Sequence, residues 1–297
     1  MKTLLSFVVK DLFQTFLSEN VRKRADNTIL TIALVSFLLH LIGIYLIRFG
    51  IIPIESNSTL LNNPIAAAYT PFSFILLYAV YLLIFYLPKS FPTYVVKQYE
   101  IITLIIIRRR FKDLSDLELS SEWFEIKGDL LFTYDLVASL ALFYLIFQIQ
   151  KQGKQKTLII EDSSERVQRF VTIKKMLAVI LVPTFFIMAA YTFYSWTKKI
   201  IINSLDSPLL TQINNLFFED IFTVLILVDV VLLLISFFYT DDFHKIMRNS
   251  GFVVSTILIR MSFGVTGLIS TILIVVAVLF GLCILLIHNQ YEPKKLE

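Results

Sequence analysis

The sequence predicts an all-α polytopic membrane protein: a helical bundle of six firm spans plus two short charged helices, with an internal two-fold repeat. Three observations carry this. Of 297 residues, 57% are hydrophobic and only 17% are charged, against about 45–50% apolar and about 25% charged in soluble domains. The apolar residues gather in runs near the roughly 20 residues that cross a bilayer core. A shift of 152 positions superposes the two halves of the chain without a gap from residue 22 to 111. The composition argues against a water-soluble enzyme, a disordered chain and a nucleic-acid-binding domain.

Residues 1–27 read as an N-terminal amphipathic helix at the membrane interface. Leu5, Val8, Val9, Leu12, Phe13, Phe16 and Leu17 share one face, with Lys10, Gln14 and Glu19 elsewhere. The alternative is a helix packed on the protein's own core. Lys10 and Asp11 interrupt the apolar stretch, and no small-residue cleavage site follows, so it is not a cleavable signal.

The six apolar segments are Thr28–Ile47, Pro71–Leu87, Leu130–Ile149, Met176–Trp196, Ile221–Tyr239 and a 37-residue run, Gly251–Ile287. The last is too long for one span, because at about 1.5 Å per residue it would reach roughly 55 Å. Gly264 and Gly267 should break it into a short Phe252–Phe263 and a full span, Leu268–Ile287. Pro88 marks a helix end and Pro183 a kink. The domains are then 1–27, a first transmembrane repeat 28–150 with a polar insert 112–128, a basic cytoplasmic linker 151–175, a second repeat 176–289, and a polar tail 290–297.

The repeat is carried by its polar positions. Arg22-Lys23 fall on Lys174-Lys175 and Asn62-Asn63 on Asn214-Asn215. The second span overlays the fifth, with Phe85 on Phe237 and Phe91 on Phe243. Thr103–Phe111 lies over Ser255–Phe263 with a shared pattern of a hydroxyl, then Ile-x-Ile-Arg-x-x-Phe. Duplicated halves are frequent in transporters.

Basic residues concentrate on the cytoplasmic side. Five lie in residues 1–27, seven in 151–175 and none in Ile51–Thr70. The N-terminus and the middle segment should be inside, which requires an even number of crossings between them, although three are clear. Six crossings give inverted repeats and put the basic segment outside. Eight crossings give two parallel four-helix units, with Thr93–Ile107 and Phe252–Phe263 crossing. The reading adopted keeps six firm spans and leaves those two as short, partly buried helices at the inner side.

Charges inside spans are costly and mark candidate sites. Asp229 stands in the middle of Val224–Leu234, where an Asp costs about 2.5–3.5 kcal/mol on insertion scales. Arg260 is a second, and the two are candidates for a buried pair or an ion or solute pathway. Asp135 lies near a span end, where interfacial solvation accounts for it. His40, midway along the first span, fits a hydrogen-bonded packing role or a proton relay. Arg108, Arg109 and Arg110 cluster at a helix end, as a topology anchor contacting anionic lipid headgroups or in gating.

Metalloprotease, P-loop and serine-hydrolase signatures are absent, and Cys283 is the single cysteine. No enzymatic activity and no cofactor is expected. The expected function is a small ion channel or secondary transporter in the plasma or bacterial inner membrane, with a cytoplasmic N-terminus. The alternative is a non-transporting scaffold or sensor subunit of a larger membrane complex. Expected partners are membrane lipids and a second copy or a partner membrane subunit, with no nucleic acid.

Overall fold

The computed structural model describes residues 11–51, 64–113, 127–157, 165–203, 208–239, 242–265 and 267–291. Most of the insert 112–128, the loop asparagines 62 and 63 and the tail beyond residue 291 lie outside them. Eight α-helices and no strand occur among the described residues. They are α1 (Glu19–Arg48), α2 (Tyr69–Tyr86, after a 3₁₀ turn Pro64–Ala68), α3 (Phe91–Asp113), α4 (Lys127–Thr157), α5 (Glu165–Asn203), α6 (Pro208–Ser236), α7 (Phe243–Phe263) and α8 (Leu268–Tyr291).

Local chemistry sets the boundaries. Ser18 caps α1 by accepting from the Val21 N–H at 3.4 Å, with Glu19 in the first turn. The interfacial helix expected over 1–27 therefore divides: residues 11–17 form one helical stretch, and Arg22 to Asn27 belong to α1. In the first stretch Leu17 is buried in the core and Phe13 packs against it, while Leu12 and Phe16 stay exposed. Pro88 follows α2, and Ser90 opens α3 by accepting from the Thr93 N–H at 3.4 Å. α5 runs on through Pro183 as one helix. Residues 151–157 and 165–175 of the expected linker are helical, as the last turns of α4 and the first of α5.

The break between α7 and α8 falls where the glycines place it. Gly264 caps α7, and Gly267 takes φ +75°, a left-handed conformation suited to glycine. The short charged helices are a different matter. α3 and α7 run 23 and 21 residues, about 34 and 31 Å at about 1.5 Å per residue. Polar residues interrupt their apolar runs and so hide their length. The bundle satisfies those residues internally: Lys97 pairs with Glu100 at 2.6 Å, Gln150 donates to Glu100 at 2.8 Å, and Arg248 donates to Asn249 at 3.1 Å.

Partners across helices give the directions. Arg22 reaches Tyr86, Tyr78 reaches Asp26 and His40 meets Thr70, so α1 and α2 are antiparallel. Glu100 with Gln150 sets α3 against α4, and Arg260 with Thr223 sets α6 against α7. Arg248 with His288, and Ser270 with Ser262, set α7 against α8. Between halves the sense changes: Asp135 meets Thr271 and Gln152 meets Asn289, so α4 and α8 are parallel. α2 packs on α5, and α3 on α7.

Four stretches are long and apolar enough to cross a membrane: Asp11–Arg48, Leu130–Gly153, Gln168–Thr192 and Leu268–Tyr291; Thr70–Tyr86 is apolar but shorter. Their outer faces expose large apolar side chains, among them Leu34, Leu39, Phe143, Phe186 and Ile269. Apolar surface this extensive is rare on soluble monomers and fits a lipid environment.

Close approach of α8 to the rest of the bundle depends on small residues. A Cβ at Gly281 would overlap the Tyr99 hydroxyl, and one at Gly251 would lie 2.7 Å from Ile284 Cγ1. Gly281→Ala should cost about 1–3 kcal/mol through overpacking. Part should return in the Gly281→Ala/Tyr99→Phe double variant, since the hydroxyl is the atom most overlapped. Thermal unfolding in detergent measures this, and strictly additive losses would disprove the contact.

Candidate functional site

Most of the bundle core is aliphatic and aromatic, but a polar seam crosses it where α3, α6 and α7 meet. α6 contributes Asp229, which is 2% exposed and lies between the fully buried Leu225 and Leu232. α3 contributes Gln98, whose Nε2 donates to Asp229 Oδ2 at 2.8 Å. α7 contributes Thr256, whose hydroxyl lies 3.0 Å from Gln98 Oε1 and 3.0 Å from the Phe252 carbonyl. These contacts orient the amide: its nitrogen must face the carboxylate, because a carboxylate accepts and does not donate.

Tyr94 lies one turn before Gln98 on the same face of α3. Its hydroxyl is beside the Asp229 carboxylate. The Tyr94 hydroxyl and the Asp229 carboxylate are fully enclosed and face each other as donor and acceptor, although neither the hydroxyl nor Oδ1 makes a hydrogen bond of ordinary geometry. A second strand of the seam runs from Tyr99, 2.7 Å from Ser255 Oγ, to the Ala277 carbonyl, which Ser255 reaches at 2.6 Å.

Lys174 is the buried cation nearest in effect. It sits in α5, donates to the Lys89 carbonyl at 3.0 Å, and lies over the Phe91 and Phe170 rings. It interacts with Asp229 electrostatically without an ion-pair contact. It belongs to the stretch 151–175 expected as a basic cytoplasmic linker, yet it is 4% exposed.

Asp229 and Arg260, anticipated as partners, are served separately. Arg260 Nε donates to Thr223 Oγ1 at 2.9 Å, and the Phe263 ring packs at a tilt against Phe222. That antiparallel register leaves Asp229 six residues beyond Thr223, about 9 Å along α6. The partner that reaches Asp229 comes instead from α3.

The other expected residues are dispersed. Asp135 is buried rather than solvated, and accepts from Thr271 on α8. His40 Nδ1 lies 2.5 Å from Thr70 Oγ1. Arg108 is buried near the end of α3, while the side chains of Arg109 and Arg110 lie outside the described residues. At the opposite end of the bundle from His40, Arg248 meets His288 Nε2 at 3.1 Å, and His244 stacks on His288. Arginine only donates, so His288 Nε2 accepts. Among the described residues no group of three His, Cys, Asp or Glu side chains converges for a metal.

Neither a protein-family model, nor a curated protein, nor a solved structure matches this chain.

Gln98 went unnoticed in the sequence because glutamine carries no charge. The signal was its place, one turn beyond Tyr94 within an otherwise apolar helix face. Gln98→Leu should destabilise by about 1–3 kcal/mol, with the upper end expected for a charged partner left unmet. Gln98→Leu/Asp229→Leu should recover most of that loss, since both partners are then apolar. Unfolding in detergent reads both variants; a double variant as damaged as the sum would show that the two residues are not coupled.

Proposed function

We propose that the protein is a small ion channel or secondary transporter whose working site is the seam at Asp229. The observation that carries this reading is a buried carboxylate held by a neutral amide. A carboxylate kept only to fasten helices together is best served by a contacting cation and full hydrogen bonding. Asp229 has one amide donor, a phenol beside it and, among the described residues, no contacting cation. Intramembrane carboxylates of this kind are characteristic of ion and proton pathways.

The architecture supports the same reading. α3 begins at Phe91 and α7 at Phe243, 152 positions apart, and the shifted α1 falls within α5. The helices alternate in direction, and α4 runs parallel to α8. We read this as two parallel four-helix units, with α2, α3, α6 and α7 crossing beside the four longer stretches. Such halves are related by an axis along the membrane normal, and transporter sites commonly form at the interface between them. Gln98 from the first unit and Asp229 and Thr256 from the second meet there. On this arrangement the basic ends Arg22 to Arg24, Lys89, Lys151, Lys174 and Arg248 share one side, the cytoplasmic one of a plasma or bacterial inner membrane.

The second reading, a non-enzymatic scaffold or sensor subunit, is favoured by α1, which buries only Ala33 and Ile44 of its 30 residues. That face would suit lipid, a second copy or a partner subunit.

Reconstitution in liposomes tests the primary reading. Wild type should conduct or exchange an ion, followed by ion- and pH-sensitive dyes, and Asp229→Asn should lose at least about 90% of the flux while keeping its thermal stability. Silence of wild type across a broad ion panel would favour the subunit reading. The crossing number has its own assay. With Cys283 replaced, Ser120→Cys should react with a membrane-impermeant reagent from outside intact cells; labelling only after permeabilisation would contradict eight crossings.

A further inference from the structure

We propose that Asp229 is a reversible proton-binding site and that Tyr94 Oη is the partner that serves both of its states. The species exchanged at the seam is then the proton. This deepens the transport reading and rests on it for its purpose, although proton binding is tested apart from flux.

Asp229 is 2% exposed, Tyr94 1% and Gln98 0%. In so dry a place a carboxylate is relieved by a contacting cation or by a proton. Among the described residues no cation touches it, and Lys174 acts on it from a distance. A metal ion asks for several oxygen ligands, and the amide cannot supply one. Gln98 presents its nitrogen to Asp229 Oδ2 at 2.8 Å, and its carbonyl is engaged by Thr256 at 3.0 Å. A proton needs neither a cavity nor further ligands, only a group to receive the hydrogen bond of the acid.

Tyr94 is that group. Its phenol faces the carboxylate as donor to acceptor. A hydroxyl both donates and accepts, whereas the Gln98 nitrogen only donates. With Asp229 ionised, the phenol and amide hydrogens both serve the carboxylate. With a proton on Oδ1, the acid donates to the phenol oxygen and Gln98 keeps its bond to Oδ2. The exchange needs no change of partner. Neither state is a trap. The first leaves a charge among aliphatic side chains, with Leu225 and Leu232 fully buried beside it, and the second leaves the phenol hydrogen without its acceptor. The proton comes from water, and returns to it, at the nearer end of the bundle. Asp229 lies seven residues before Ser236 at the end of α6, about 10 Å, and Tyr94 lies near the start of α3. The titratable groups that face Asp229 are Tyr94 from α3 and Lys174 from α5, with Arg248 of α7 acting on Lys174. What α7 brings to the seam itself is Thr256, which does not titrate.

The experiment uses the full chain, in detergent and in liposomes. Infrared difference spectra between alkaline and acidic buffer should show the carbonyl band of a buried carboxylic acid, appearing and disappearing reversibly. Asp229→Asn should remove that band, and Asp229→Glu should restore one at a shifted position. Tyr94→Phe should move it to higher frequency, since the acid loses its acceptor. Lys174→Met should move its half-point to higher pH by about one unit, tenfold in proton affinity, because loss of a nearby positive charge favours the neutral acid. In liposomes a potassium diffusion potential, set with valinomycin, should drive proton flux in wild type, and Asp229→Asn should lose at least about 90% of it. A spectrum without a titrating acid band overturns the proposal, as does a band that Asp229→Asn retains. If Asp229→Asn does not fold, Tyr94→Phe decides, and a band it leaves unmoved overturns the pairing. A titrating band without liposome flux supports the proton site and counts against transport. Flux of an alkali ion that depends on Asp229, without a titrating band, keeps transport and removes the proton.

Discussion

The arrangement of this bundle turns on burying the Asp229 carboxylate among aliphatic side chains. In a low-dielectric interior an isolated charge is far more expensive than any single apolar contact is favourable. A helix bearing such a residue cannot face lipid there, and must present it to another polar group. Gln98 provides that group, and Thr256 holds Gln98. The three residues sit on three helices, so meeting the requirement of one carboxylate brings α3, α6 and α7 together. This explains why α3 and α7, whose apolar runs are interrupted by polar residues, pack against other helices on several sides.

The same logic extends along α7. Ser255 bridges Tyr99 of α3 and the Ala277 carbonyl of α8, and Ser262 accepts from Ser270 through its backbone. Apolar packing between helices gains little in lipid, where tails are as apolar as leucine. Close contact through glycine and hydroxyl residues supplies the specificity instead. Gly281 admits Tyr99, and Gly251 admits Ile284. α7 thereby joins α3, α6 and α8, and a polar central helix is stabilised by what would exclude it from a lipid-facing position.

Legibility in the sequence followed the physics of each feature. The start of α8 at Leu268 and the glycine break before it follow from run length and backbone geometry, whereas four stretches rather than the six expected are long and apolar enough to cross a membrane. Asp229 was conspicuous because a charge in an apolar run is rare. What escaped was pairing at a distance. Lys97 and Glu100 make the stretch Thr93–Ile107 look short and charged, yet they pair with each other and Glu100 also accepts from Gln150. Composition along the chain cannot show that. The expected Asp229–Arg260 partnership failed for a related reason, since two opposite charges on neighbouring helices meet only if the register allows it. Lys174 falls by its basic neighbours in the expected cytoplasmic linker, whereas its own side chain turns inward onto Phe91 and Phe170.

The seam also bears on how the proposed repeat would work. At the 152-residue shift, Asp229 corresponds to Leu77 and Gln98 to Ser250, so each half supplies one polar partner and the equivalent position in the other half is apolar or small. Two symmetric copies of the seam would place two carboxylates in one dry core, doubling the desolvation cost. A single asymmetric seam keeps the cost to one charge while still drawing its groups from both halves. A relative movement of the halves would therefore change the surroundings of Asp229 directly, because its amide donor rides on one half and its backbone on the other. On the transport reading proposed above, that coupling between helix packing and one buried charge is what an alternating-access device would use.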